Sequence, residues 1–115
     1  MAGSLREVNI KSDLPTVDDA IRRITFQIRN GKPLGASAVK IIHGYGSTGK
    51  GGKIRTAARQ YLESQKNKNL ISDYITGEDF SIFDEATRRA FSVCDDLRRD
   101  HDLDRHNNGI TIVVL

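Results

Sequence analysis

Apolar residues recur along this chain with two periods, and the switches between them mark out the elements. Glu7-Val8-Asn9-Ile10-Lys11 alternates polar and apolar, the pattern of a half-buried strand. Asp13-Leu14-Pro15 ends it, and Thr16 is placed to cap a helix, with Asp19 three residues on in a capping-box-like position. Val17, Ala20, Ile21, Ile24 and Ile28 then recur at helical spacing, which predicts a first helix over Val17 to Arg29, stopped by Asn30-Gly31-Lys32-Pro33. Ala38 to His43 is the second strand. Gly44 to Gly52 holds five glycines in nine residues and is read as a loop. Ile54, Ala57, Ala58, Tyr61 and Leu62 mark a second helix, and Leu70 to Ile75 a third strand. Ser81 is a candidate cap for a third helix whose apolar face is Phe83, Ala86, Ala90, Val93, Cys94 and Leu97. A polar loop, His101 to Gly109, leads into Ile110-Thr111-Ile112-Val113-Val114-Leu115, a β-branched run expected to be buried at or next to the centre of a sheet.

The order β-α-β-α-β-(α)-β implies an α/β fold in which helices pack on a four-stranded, mostly parallel mixed sheet. The last strand is the candidate to run antiparallel to the rest. With 115 residues, one domain over 1–115 is expected, with an acidic helix within 78–108. No apolar run is long enough to cross a bilayer, and the N-terminus lacks a signal-peptide core, so a cytoplasmic protein without membrane attachment is expected. The single cysteine, Cys94, excludes an internal disulfide and reads as a small buried apolar residue.

Charge changes the picture through its distribution. Residues 1–39 carry six basic and four acidic side chains, residues 40–68 seven and one, and residues 69–115 five and ten. A basic block of this density suits a phosphate-rich partner; the plainer reading is a lysine-rich solvated face. The block coincides with the glycine segment. A glycine-rich turn between a strand and a helix lets backbone N–H groups approach a phosphate, and the helix N-terminus adds its dipole. Lys50, Lys53, Arg55 and Arg59 supply charge nearby. The spacing Gly44-x-x-x-x-Gly49-Lys50 matches a nucleotide phosphate loop except at its last position, where Gly51 replaces the Ser or Thr that holds magnesium. No strand ends in the aspartate such a site also needs.

The segment Val39-Lys40-Ile41-Ile42-His43-Gly44-Tyr45-Gly46, followed by Thr48-Gly49 and then Ile54-Arg55 on a helix, resembles the signature of the small MutS-related (Smr) domain. Gly109 to Leu115 resembles that domain's closing strand, and Thr16-Val17-Asp18-Asp19-Ala20 the start of its first helix. The resemblance implies a two-layer α/β domain similar to the C-terminal domain of translation initiation factor three, in which residues 78–108, longer than the family's usual short connection, are an insertion carrying the acidic helix. It implies nucleic-acid binding, endonuclease activity on DNA or RNA in several members, and settings such as DNA repair, recombination or RNA surveillance. The candidate contacts are then Gly44, Tyr45, Gly46, Ser47, Thr48, Gly49, Lys50, Gly51, Lys53, Arg55 and Arg59, joined by Lys11 and Arg105, with Tyr45 the aromatic placed to stack on a base. Members with nuclease activity carry Leu-Asp-Leu-His-Gly in the first strand. Here Val8-Asn9-Ile10-Lys11-Ser12 falls in that register, so the acid is Asn9 and the histidine is Lys11. An amide is neither a base nor a good cation ligand, so binding is expected ahead of cleavage. If the last strand is antiparallel, the loop before it reaches the same sheet edge. His106 could then pair with His43 for acid–base work, and Arg105 could clamp a phosphate.

His101-Asp102-Leu103-Asp104-Arg105-His106 also sets metal-capable side chains at alternate positions. Polar loops collect such residues for solubility alone, so no metal site and no cofactor is assigned, a divalent ion remaining an open option. A protein partner at the acidic third helix is the remaining alternative.

Overall fold

A computed structural model of the chain describes residues 3–11, 16–44 and 50–115. The elements are β1 (Ser4–Asn9), α1 (Val17–Asn30), β2 (Ala36–Ile42), α2 (Lys50–Asn67), β3 (Asp73–Thr76), α3 (Glu85–Val93) and β4 (Ile110–Val114), with a 3₁₀ turn over Asp95–Arg99. The sheet order is β1-β2-β4-β3. β1 pairs parallel with β2, and β4 runs antiparallel between β2 and β3, so three strands point one way and the last points back. All five β4 residues are buried, as its β-branched run requires.

Strand alternation sends side chains to two cores. Val39, Ile41 and Val113 face Ala20, Ile24, Ile54, Ala58 and Leu62 of α1 and α2. Ala38, Ile75, Ile110, Ile112 and Val114 face Phe80, Phe91, Cys94 and Leu97. Residues 78–108 therefore add a cover on the second face of the two-layer α–β frame. Cys94 is one of its fully buried members.

The helix signals at the start of α1 are realised: the Thr16 hydroxyl accepts from Asp19 N at 3.1 Å. The expected stop at Asp13-Leu14-Pro15 lies outside the described residues. β1 starts three residues before the expected alternation and ends two residues before its end, where Lys11 turns away from the sheet, its N–H held by Asn9 Oδ1 at 3.0 Å. α2 begins at Lys50, inside the expected glycine loop. Its first N–H groups need no intrahelical partner, and burial of Ile54, Ala58 and Leu62 outweighs about 1 kcal/mol per helical glycine. β3 starts three residues late, since α2 runs on to a left-handed turn at Asn69 (φ 60) that leaves Leu70 exposed.

The third helix departs furthest from expectation. Its cap is Asp84, which accepts from Thr87 N at 2.9 Å, and Ser81 instead opens the preceding turn. Phe83 precedes the helix and is 84% exposed, and Val93 is exposed as well, so neither joins the apolar face. The helix ends at Cys94, which is extended (φ −145, ψ 91), and the 3₁₀ turn follows. Among the described residues no helix is long and apolar enough to cross a membrane.

Candidate functional site

β1 and β2 end, and β4 begins, at one edge of the sheet, and α2 starts there too. Gly109 O ties the strand ends together by accepting from both His43 N and Gly44 N at 3.0 Å. Gly44 has φ +82, a left-handed turn natural to glycine, and a Cβ there would stand 3.4 Å from Cδ of Lys11. Lys11, exposed, thus lies against the glycine turn. On the β3 side, Gly77 presses so closely on the Asn107 carbonyl that a Cβ would overlap it.

His43 is fully buried at this edge. Its Nδ1 lies 3.0 Å from Gly44 O, and its Nε2 lies 2.9 Å from Thr111 Oγ1. A carbonyl only accepts, so Nδ1 carries the proton and Nε2 receives the Thr111 hydroxyl hydrogen. The same Thr111 oxygen accepts from Arg59 Nε at 3.2 Å. Every group in this relay is neutral except the guanidinium, which is a fixed donor. Burial first, then the nearby charges of Arg59 and Arg55, push the imidazole pKa down from 6.5 to about 4, against the opposing pull of the Gly44 carbonyl. His43 is a neutral ring with both nitrogens engaged.

Arg59 continues the chain outward. Nη1 and Nη2 form a two-pronged pair with Glu78 at 2.9 and 2.7 Å. Nη2 also donates to the carbonyls of Asn108 and Ile110. Hydrogen bonds from Arg59 hold the Glu78 carboxyl below the usual carboxylate range, with burial opposing. The Glu78 carbonyl in turn lies 3.2 Å from His106 Nδ1. His106 is exposed and adopts φ 53. The two expected catalytic histidines are therefore linked through Thr111, Arg59 and Glu78, each bonded to other partners and not to each other.

The expected contacts fall into three groups. Gly44, Lys11, Lys53 and Arg59 lie at or beside the edge, Lys53 exposed and Arg55 and Arg59 half-buried. Arg105 is exposed on the turn before β4, lining a shallow polar hollow of about 420 Å³ with His101, Asp102, His106 and Asn107. Tyr45, Gly46, Ser47, Thr48 and Gly49 lie outside the described residues, and Lys50 and Gly51 are described by backbone alone. Sequence reasoning missed Thr111 and Glu78. Thr111 had a signal, as the one polar residue in an apolar run; Glu78 had none.

Lys40 was counted in the basic block, but it is buried in the second core. β2 points Ala38, Lys40 and Ile42 toward that face. The Lys40 ammonium meets both Asp100 oxygens, at 2.9 and 3.1 Å, and Asp102 Oδ2. Burial alone would lower the Lys40 pKa, but bonds to Asp102 and Asp100 outweigh it and raise it; the Asp102 carboxyl is lowered against burial by Lys40 and Asn107. Asp100, His101 and Asp102 come close enough to share an ion. The Lys40 ammonium already stands on both carboxylates, so a divalent ion would have to displace it.

The Smr domain of Thermus thermophilus MutS2 superposes on this chain over 96% of each, with a TM-score of 0.59 and 19% identity. The fold is Smr-like. That bears out the architecture implied by the His43-Gly44 signature and the closing strand, and at this identity the likeness concerns the fold. No family model matches the chain, and no curated protein resembles it in sequence. In this Smr-like frame His43 and Gly44 leave β2 at the carboxyl edge, and α2 begins at Lys50.

Proposed function

We propose that this Smr-like chain binds nucleic acid across the carboxyl edge of its sheet, through backbone phosphates. One observation carries the reading. The first turn of α2 carries Lys53 and no acidic residue, Arg59 reaches the start of β4 through Thr111 and the Ile110 carbonyl, and Lys11 lies beside Gly44 at that edge. The helix N-terminus adds a favourable dipole for an anion. The Smr resemblance implies the same class of partner.

The reading is binding rather than cleavage. The Asn9 amide is tied to the Lys11 N–H, and His43 is a neutral post that holds Gly44 and Thr111 in place. The test is a titration of labelled single-stranded and duplex DNA and RNA with the purified protein at low and near-physiological salt. Binding that weakens as salt rises is expected. Salt-independent binding, or none, removes the reading.

A further inference from the structure

Arg59 presents an unusual arrangement for a phosphate-binding arginine, because its fork is already filled. The Arg59 side chain is 19% exposed, while the Glu78 side chain on it is 45% exposed, the more open of the two. The arginine does not depend on that carboxylate for its position. Nε stays on the Thr111 hydroxyl, and Nη2 keeps the Asn108 and Ile110 carbonyls. If Glu78 swings away, Nη1 and one edge of Nη2 face outward in a geometry that is already set. Two parallel N–H donors of this kind fit two oxygens of a phosphate as well as those of a carboxylate. Glu78 follows Gly77 at the end of β3, on the exposed turn, where a side-chain rotation moves no buried group.

We propose that Glu78 occupies the phosphate position on Arg59 in the unliganded protein and must be displaced when a nucleic-acid phosphate docks there. This rests on the nucleic-acid reading above and assigns its regulation to one ion pair. The carboxylate keeps the guanidinium neutralised and oriented, and it makes each phosphate compete for the fork. The pair is two-pronged, but its carboxylate side is open to water, which limits its hold to about fivefold, so a polyanion with several contacts can displace it.

The experiment compares wild type, Glu78→Gln, Arg59→Lys and the double variant, using a labelled oligothymidylate and a labelled DNA duplex over a range of salt. Glu78→Gln is expected to tighten binding by about two- to fivefold with little change in the duplex salt slope, because Arg59 meets the same phosphate in both complexes once Glu78 has moved. In the Arg59→Lys background the same change is expected to gain much less, because lysine keeps the charge but has no fork. Thermal unfolding of each variant checks that the fold is retained.

Unchanged or weaker binding by Glu78→Gln overturns the proposal and leaves Glu78 a structural clamp. An equal gain in the Arg59→Lys background also overturns it, since the carboxylate would then act by general repulsion. If Glu78→Gln has no effect while wild type still binds in a salt-dependent way, the inference fails and the reading above stands. Wild type and Glu78→Gln both failing to bind would remove both, whereas binding by Glu78→Gln alone supports the displacement.

Discussion

Thr111 places a single hydroxyl between two very different groups, 3.2 Å from Nε of Arg59 and 2.9 Å from Nε2 of His43. The guanidinium can only donate, so the oxygen must accept there and give its own hydrogen to the imidazole. One hydroxyl thereby fixes the His43 tautomer, and the tautomer fixes the bond from Nδ1 to the Gly44 carbonyl. The backbone that leaves β2 is thus set by a side chain on β4 and a cation on α2.

Replacing that hydroxyl tests the relay directly. Thr111→Val preserves shape but leaves a buried imidazole nitrogen and the Arg59 Nε without their partner. It is expected to cost about 1–3 kcal/mol of stability. Thr111→Ser keeps the hydroxyl and drops one methyl group, costing about 1 kcal/mol. Urea unfolding of the two variants should rank them in that order, and a Val variant as stable as the Ser variant would dissolve the relay.

The neutral His43 makes stability depend on pH with a definite sign. The unfolded chain takes up a proton near pH 6.5, whereas the folded ring resists it until about 4. The stabilisation is therefore complete above pH 6.5 and is lost as pH falls from 6.5 toward 4. At about 1.4 kcal/mol per pKa unit, the loss across that window is about 3 kcal/mol. Denaturant midpoints should fall through this range in wild type and stay flatter in His43→Asn, which is less stable at neutral pH but has no imidazole to titrate.

The Lys40 cluster behaves differently. Lys40→Met leaves Asp100 and Asp102 buried without their cation, an expected cost of about 3–5 kcal/mol at neutral pH. Without Lys40 the two buried carboxylates repel each other with no counterion, so acid, by removing charge from the pair, should partly restore the variant. Wild type shows the reverse: the lowered Asp102 carboxyl stabilises it above the usual aspartate range, and that contribution is lost as pH falls through the folded value. Adding Asp100→Asn and Asp102→Asn to Lys40→Met should recover stability at neutral pH, which unfolding curves of the variants can read.

Much of this architecture was legible in the residues, for physical reasons that also explain the failures. The periodicity of Val17 to Ile28 and the Thr16 cap are local signals, and α1 starts where they place it. The Ile110–Leu115 run could only be a buried strand, and its antiparallel entry brings the 101–109 turn to the site edge. The third helix misled because Phe83 stands at a helical interval from Ala86 and Ala90, yet Asp84 caps the helix after it. Lys40 was assigned to a basic surface because its two counterions lie sixty and sixty-two residues away. Composition cannot register that pairing, and no local pattern marks Glu78 as the partner of Arg59.

The Phe83 discrepancy gives a sharp contrast in side-chain truncation. Phe80 is fully buried in the second core, whereas Phe83, three residues on, is almost wholly in solvent. Phe80→Ala is expected to cost about 3–5 kcal/mol. Phe83→Ala is expected to stay within about 0.5 kcal/mol of wild type. A helix running through Phe83 with its apolar face inward would make the two losses similar, so thermal or urea unfolding separates the two arrangements.

The location of binding can be separated from overall charge by reversing lysines at the two ends of the molecule. Lys11 lies beside Gly44 and Lys53 on the first turns of α2, both at the carboxyl edge and both exposed. Lys32 follows α1 and Lys68 follows α2, both exposed at the opposite edge. Lys11→Glu with Lys53→Glu and Lys32→Glu with Lys68→Glu change the net charge of +3 by the same amount. If attraction is only that of a basic protein for a polyanion, the two pairs should weaken binding equally. If phosphates dock at the carboxyl edge, the first pair should lose two contacts, lowering the duplex salt slope by about 1.8 in log K per log salt, while the second keeps the wild-type slope. The slope matters more than affinity at one salt concentration, because it counts the phosphates neutralised and is insensitive to small changes in fold stability. Equal slopes for the two pairs would move the interface away from the glycine signature.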